Sequence, residues 1–115
     1  MDEPSGVLLV LTNCPDEASA TRIRHEAVNA RLAACANQLG PVRSTYRWQG
    51  AIEEASEIAL LIKTTRERYS ELEALIRQLH PYALPEIVAV PVERGCPDYL
   101  TWVCMETRAD TDENE

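Results

Sequence analysis

Phenylalanine is absent from the 115 residues, and lysine occurs once, at Lys63, beside ten arginines. The core must therefore come from Leu, Ile, Val and Ala, helped by Trp48, Trp102 and four tyrosines. Positive charge is scarce overall. The formal charge is −8, so the average surface repels a phosphate backbone and nucleic acid is excluded as a partner. No apolar run approaches the roughly 18 residues of a membrane span, and Met1-Asp2-Glu3 lacks the basic start of a signal peptide. A cytoplasmic chain with no membrane contact is expected. The four cysteines, Cys14, Cys35, Cys96 and Cys104, include no CxxC pair and no zinc-ligand spacing, which excludes zinc ribbons and thioredoxin-type redox sites. Free thiols follow from the expected compartment; an oxidising one would allow three pairings. With neither a nucleophile elbow nor a phosphate-binding loop, the chain is not expected to be an enzyme.

The length suits a single domain, placed over residues 1–108, with the aperiodic acidic stretch 109–115 expected to be a disordered tail. Val7 to Thr12 is an unbroken apolar run, predicting a strand buried in a sheet centre. Pro15-Asp16-Glu17 predicts a helix start, and Ala20, Ile23, Ala27, Ala30 and Ala34 give a small-residue face over about residues 15–34. A second strand from Cys35 is expected to bulge at Gly40-Pro41 and resume to Gln49. After a turn at Gly50, alternation at Ile58, Leu60 and Ile62 predicts a third strand over 52–64. Thr64 and Glu67 have capping-box spacing ahead of a second helix to Leu79. A strand over 87–92 and a last helix from Cys96-Pro97 to about Thr107 complete the chain. The order β-α-β-β-α-β plus a C-terminal helix predicts an α+β, ferredoxin-like sandwich. In that topology the first and third strands are central and the fourth is antiparallel to the first.

His80-Pro81-Tyr82-Ala83-Leu84-Pro85-Glu86 joins the second helix to the fourth strand. Its two prolines restrain His80 and Leu84. Topology brings this segment to the end of the first strand, near Cys14, and leaves Cys35 at the opposite end of the sheet. Cys14 and Cys96 each precede a proline at a predicted helix start, where the dipole favours thiolate. A thiolate, an imidazole and a carboxylate suit copper or zinc, so Cys14, His80 and Glu86 are the candidate metal ligands. The bland alternatives are a histidine facing the carbonyl end of its helix and a cysteine serving as a small cap. Lys63 is expected to pair with a carboxylate, His25 to lie exposed on the first helix, and Cys35 to be buried beside it. Trp102 and Cys104 are expected in core or interface packing, and Tyr46 and Trp48 against another subunit.

Several fragments together resemble the CutA family of divalent-cation tolerance proteins. They are Pro15-Asp16-Glu17-Ala18, Leu32-Ala33-Ala34-Cys35, Tyr46-Arg47-Trp48-Gln49-Gly50, Ile62-Lys63-Thr64, His80-Pro81-Tyr82 with Pro85-Glu86, Pro91-Val92-Glu93 and Asp98-Tyr99-Leu100, spread in order over about residues 7–105. The resemblance implies a homotrimer of ferredoxin-like subunits, with the long hairpin reaching a neighbour. It also implies binding of copper or another divalent cation and a role in metal tolerance. In the family's copper-binding bacterial pattern the ligands are a cysteine late in strand one and two consecutive histidines; here those places hold Thr12, Leu79 and His80. Two other readings of the same architecture are a small-ligand signalling module like the P-II proteins and a non-catalytic trimeric scaffold. The first would need a basic, glycine-rich phosphate loop, which the chain lacks.

Overall fold

Two apolar rows on β1, pointing to opposite faces, decide how the molecule is layered. In the computed structural model, which describes residues 5–109, β1 (Val7–Cys14) lies between β3 (Ala51–Thr65) and β4 (Val88–Pro91), and β2 (Cys35–Trp48) flanks β3. All three pairings are antiparallel, giving the strand order β2-β3-β1-β4. This is the predicted ferredoxin-like α+β arrangement, with β1 and β3 central. Alternation along β1 sends Val10, Thr12 and Cys14 towards α1 (Glu17–Asn29) and α2 (Tyr69–Leu79). There they join Ile23, Ala27, Leu60, Ile62, Leu72 and Ile76 in the main core.

The other row, Val7, Leu9 and Leu11, faces away from those helices. At its start Val7 packs with Ala34 and Val103 beneath α3 (Pro97–Glu106). Beyond α3 nothing among the described residues covers this face. Leu11 pairs with Leu61 on one side and Val88 on the other, and Leu9 with Val90, so these side chains share one surface. Leu11, Leu39, Val88 and Val90 are 36%, 45%, 49% and 45% exposed.

The β2–β3 hairpin turns at Gln49-Gly50, both with positive φ (51° and 84°). Two consecutive residues of that kind make the turn whose twist suits a hairpin, and glycine takes the second place without strain. The predicted bulge is present as a register shift between Leu39 and Pro41. The hairpin carries exposed Tyr46, Trp48 and Ile52. The molecule extends 52 × 33 × 23 Å, with a radius of gyration of 15.3 Å, against about 13 Å for a compact chain of this length.

Helix boundaries differ from the sequence reading. The first helix stops at Asn29 because Arg31 turns to φ 61°, a left-handed end that returns the chain to the sheet. Leu32 and Ala33 donate to the Ala27 carbonyl at 3.0 and 3.1 Å. Ala34, assigned above to a helix face, instead donates to the Lys63 carbonyl at 2.9 Å. Thr64 is not a cap: β3 continues through Thr65, and the buried Thr64 hydroxyl donates to the Leu32 carbonyl at 2.6 Å. The second helix begins at Tyr69 with Arg68 as its cap residue and no side-chain cap bond. The tail expected over 109–115 lies, apart from Ala109, outside the described residues.

Candidate metal centre at the end of β1

His80 ends α2 with an extended backbone (φ −77°, ψ 133°), and its N–H still donates to the Ile76 carbonyl at 2.8 Å. Pro81 prevents the helix from continuing, and the imidazole turns in towards β1, leaving the residue 6% exposed. Both ring nitrogens are engaged. Nδ1 accepts the Tyr82 N–H at 3.2 Å, and Nε2 lies 2.7 Å from the Asn13 carbonyl. A carbonyl only accepts, so this geometry places a proton on Nε2 and leaves Nδ1 as the acceptor. The Tyr82 ring packs 4.9 Å from the imidazole, centroid to centroid.

Cys14 is fully buried on the helix-facing side of β1. The cap of α1 is Asp16, whose carboxylate accepts the Ser19 N–H at 2.8 Å and is thereby held below the usual carboxylate pKa. The thiolate expected at Cys14 is therefore corrected. Burial, with the negative charges of Asp16 and Glu57 adding to it, raises its pKa from 9.0 to about 11. Glu86 is exposed and accepts the Asn13 amide Nδ2–H at 3.2 Å.

The three predicted ligands thus gather around residues 13 and 14 without converging. Strand period two sends the Asn13 side chain, with Glu86 on it, to one face and the Cys14 thiol to the other. Among the described residues no group of three or more His, Cys, Asp or Glu side chains is placed to hold a metal ion. A resident ion does not fit this arrangement: the thiol is protonated and buried, both imidazole nitrogens are occupied, and Glu86 lies on Asn13. Thr12 is wholly buried, and its hydroxyl has no hydrogen-bond partner among the described residues. Thr12→Val should raise stability by about 1 kcal/mol, because an unpaired buried hydroxyl costs more than the methyl replacing it. A lower urea midpoint for the valine chain would show that the hydroxyl has a partner.

Glu57 is the residue that the sequence reading missed. It is 8% exposed and accepts from the Ser44 hydroxyl at 2.6 Å and the Tyr82 hydroxyl at 3.0 Å. Burial first, then this bond and the carboxylate charge, push the Tyr82 phenol up to about 12. A continuous polar chain results, Glu86 to Asn13 to His80 to Tyr82 to Glu57 to Ser44, fastening the connection before β4 to β1, β3 and β2. In sequence Glu57 follows Glu53 and Glu54 and reads as one more solvated acid; Tyr82 in the signature segment was the available clue.

The other singled-out residues lie elsewhere. Lys63 pairs with no carboxylate among the described residues: its ammonium donates to the Asn37 side-chain carbonyl and lies 3.9 Å from the half-buried Cys35 sulfur. His25 is exposed, as expected, and Trp102 (41%) and Cys104 are exposed rather than packed in a core.

The profile of a family described as CutA1 divalent ion tolerance protein matches residues 8–106. The divalent-cation tolerance protein CutA of Thermus thermophilus is 43% identical over 99 residues, 86% of this chain and 96% of that protein. Protein CutA of Mus musculus is 41% identical over 106 residues, 92% of this chain, which spans only 60% of the mouse protein. Among solved structures, CutA from Xylella fastidiosa superposes with a TM-score of 0.88 at 48% identity, covering 90% of this chain and 99% of that one.

Proposed function

The chain belongs to the CutA1 divalent ion tolerance protein family, and from that premise we propose that it serves in the response to divalent cations as a non-catalytic homotrimer. One observation carries the self-association: an apolar sheet face, with Leu11, Leu39, Val88 and Val90 more than a third exposed, has no covering layer among the described residues. A patch of that kind marks an interaction surface. Tyr46, Trp48 and Ile52 on the projecting hairpin provide the reach to a neighbour. The four free thiols support the cytoplasm as the compartment.

Copper, the ion implied by the resemblance to the family, is proposed to meet the chain at the crevice of Cys14, His80 and Glu86, transiently and not as a resident cofactor. Occupancy requires the His80 ring to give up a hydrogen bond, which lowers affinity. Titration of Cu(II) into the wild-type chain and the His80→Ala, Glu86→Gln and Cys14→Ser variants, followed by tryptophan fluorescence, tests this. Saturable binding should weaken at least tenfold without His80 and change least without the buried thiol. Equal affinity in all four chains removes the site. The occupied imidazole nitrogens also favour a second reading, in which the trimer acts as a metal-insensitive scaffold; unchanged melting across the copper titration would support it.

A further inference from the structure

On the side of the molecule away from His80, α3 and the loop leading into α2 enclose a groove of about 780 Å³. Its wall on α3 is Pro97, Leu100 with Thr101, and Cys104 with Met105, a row at three- and four-residue spacing along one helix face, with Arg108 just past the helix end. Opposite lie Thr65, Glu67 and Arg68. The volume is that of a small-molecule site, and Pro97, Leu100 and Met105 give it an apolar strip among polar and charged neighbours.

The polar groups here are not equivalent. The Thr107 hydroxyl is spent on the Val103 and Cys104 carbonyls at 2.9 and 3.2 Å, and the Ser5 hydroxyl on the Val92 carbonyl at 2.6 Å. Arg68 differs. Its side chain is 17% exposed, one terminal nitrogen reaches Glu71 at 2.9 Å, and its buried Nε–H has no acceptor among the described residues. A buried donor on a guanidinium costs free energy until an acceptor arrives. Arg68 and Arg108 on the groove offset Glu67 and Glu71, so the groove is locally near neutral on a chain of net charge −8.

We propose that this groove binds a small amphipathic carboxylate, its oxygens on the Arg68 guanidinium and its hydrocarbon tail along Leu100 and Met105. A planar guanidinium matches a carboxylate, and the apolar wall has no use for a bare inorganic anion. This site is separate from the metal crevice and independent of the trimer reading.

Octanoate is the probe, with acetate, octan-1-ol and inorganic phosphate as comparisons, titrated into the full chain by calorimetry and thermal shift. Octanoate should bind saturably, at least tenfold more tightly than any of the three. Arg68→Gln should weaken it at least tenfold. Thr101→Trp, at an exposed position on the wall, should block the groove while leaving Arg68 intact, so the inference stays testable if the arginine variant folds poorly. Absence of saturable binding, equal binding in all three chains, or phosphate binding as tightly as octanoate overturns the proposal. Binding seen only after removal of residues 110–115 also overturns it, because the groove then belongs to the chain's own end.

Discussion

The double variant Val88→Lys with Val90→Lys should sediment as a folded 12.9 kDa monomer under conditions where the unaltered chain runs at three times that mass. Both valines sit on the short edge strand β4 and point away from the core, whereas Ile87 and Ala89 pack against the main cluster. The substitution therefore leaves the protomer's interior intact, and lysine on an exposed edge is a common means of keeping sheets apart. Within an assembly the effect reverses. An ammonium buried without a partner costs several kcal/mol, and symmetry repeats the cost in every subunit. Light scattering over a range of concentrations reads the mass, and far-ultraviolet circular dichroism shows whether the monomer is folded. A folded trimer carrying all six lysines would move the interface elsewhere, with the hairpin residues Trp48 and Ile52 the next surface to alter.

That uncovered face also shows where sequence reading stops. The unbroken run Val7 to Thr12 indicates a strand with two buried faces, and both are apolar, but beyond Val7 the described residues cover only one. A run of that kind reports that something covers each face. It cannot say whether the cover comes from the same chain. Strand order and the position of the bulge were legible because hydrophobic period and Gly-Pro punctuation are local signals. The C-terminal end of α1 and the start of α2 were not. A left-handed residue at Arg31 ends α1 with no glycine to announce it, and Thr64, with Glu67 three residues later, has capping-box spacing while serving in a strand. In each case tertiary packing, the docking of Leu32 to Ala34 onto the sheet, outweighs local propensity.

The candidate site was legible to the level of neighbourhood. Connectivity placed His80 beside the end of β1, and the imidazole does bond the Asn13 carbonyl there. Side-chain direction was the missing information. Shifting one position along a strand changes the face completely, so Cys14 and Glu86, both beside Asn13, cannot be joined by proximity in topology alone. Glu57 was hidden for a different reason. Its burial depends on Tyr82 and Ser44, which are 25 and 13 positions away in sequence, and an acidic run on a strand carries no mark of which member is covered.

Cys14 should make the protein lose stability steeply in alkali. In the unfolded chain its thiol ionises near 9.0, whereas in the folded chain burial holds the proton until about 11. Above pH 9 the unfolded state therefore binds fewer protons than the folded one, so stability falls as pH rises and the loss from this group is complete near pH 11. Below pH 9 the thiol is protonated in both states and contributes nothing to the slope. A shift of this size corresponds to a loss on the order of 3 kcal/mol. Tyr82, raised from 10.0 to about 12, adds a smaller loss of the same sign from pH 10 upward, because it is more than a third exposed. Urea midpoints at pH 8, 9 and 10 for the wild-type and Cys14→Ala chains separate the two: the alanine chain should be nearly flat up to pH 10 while the parent declines. Thiol counting gives an independent reading, since Cys35, Cys96 and Cys104 should react with a disulfide reagent in the native protein and Cys14 only after unfolding. Parallel pH profiles for the two chains, or four thiols reacting at similar rates in the native state, would mean that the end of β1 opens to solvent, and the closed polar chain from Glu86 to Ser44 would not describe its resting state.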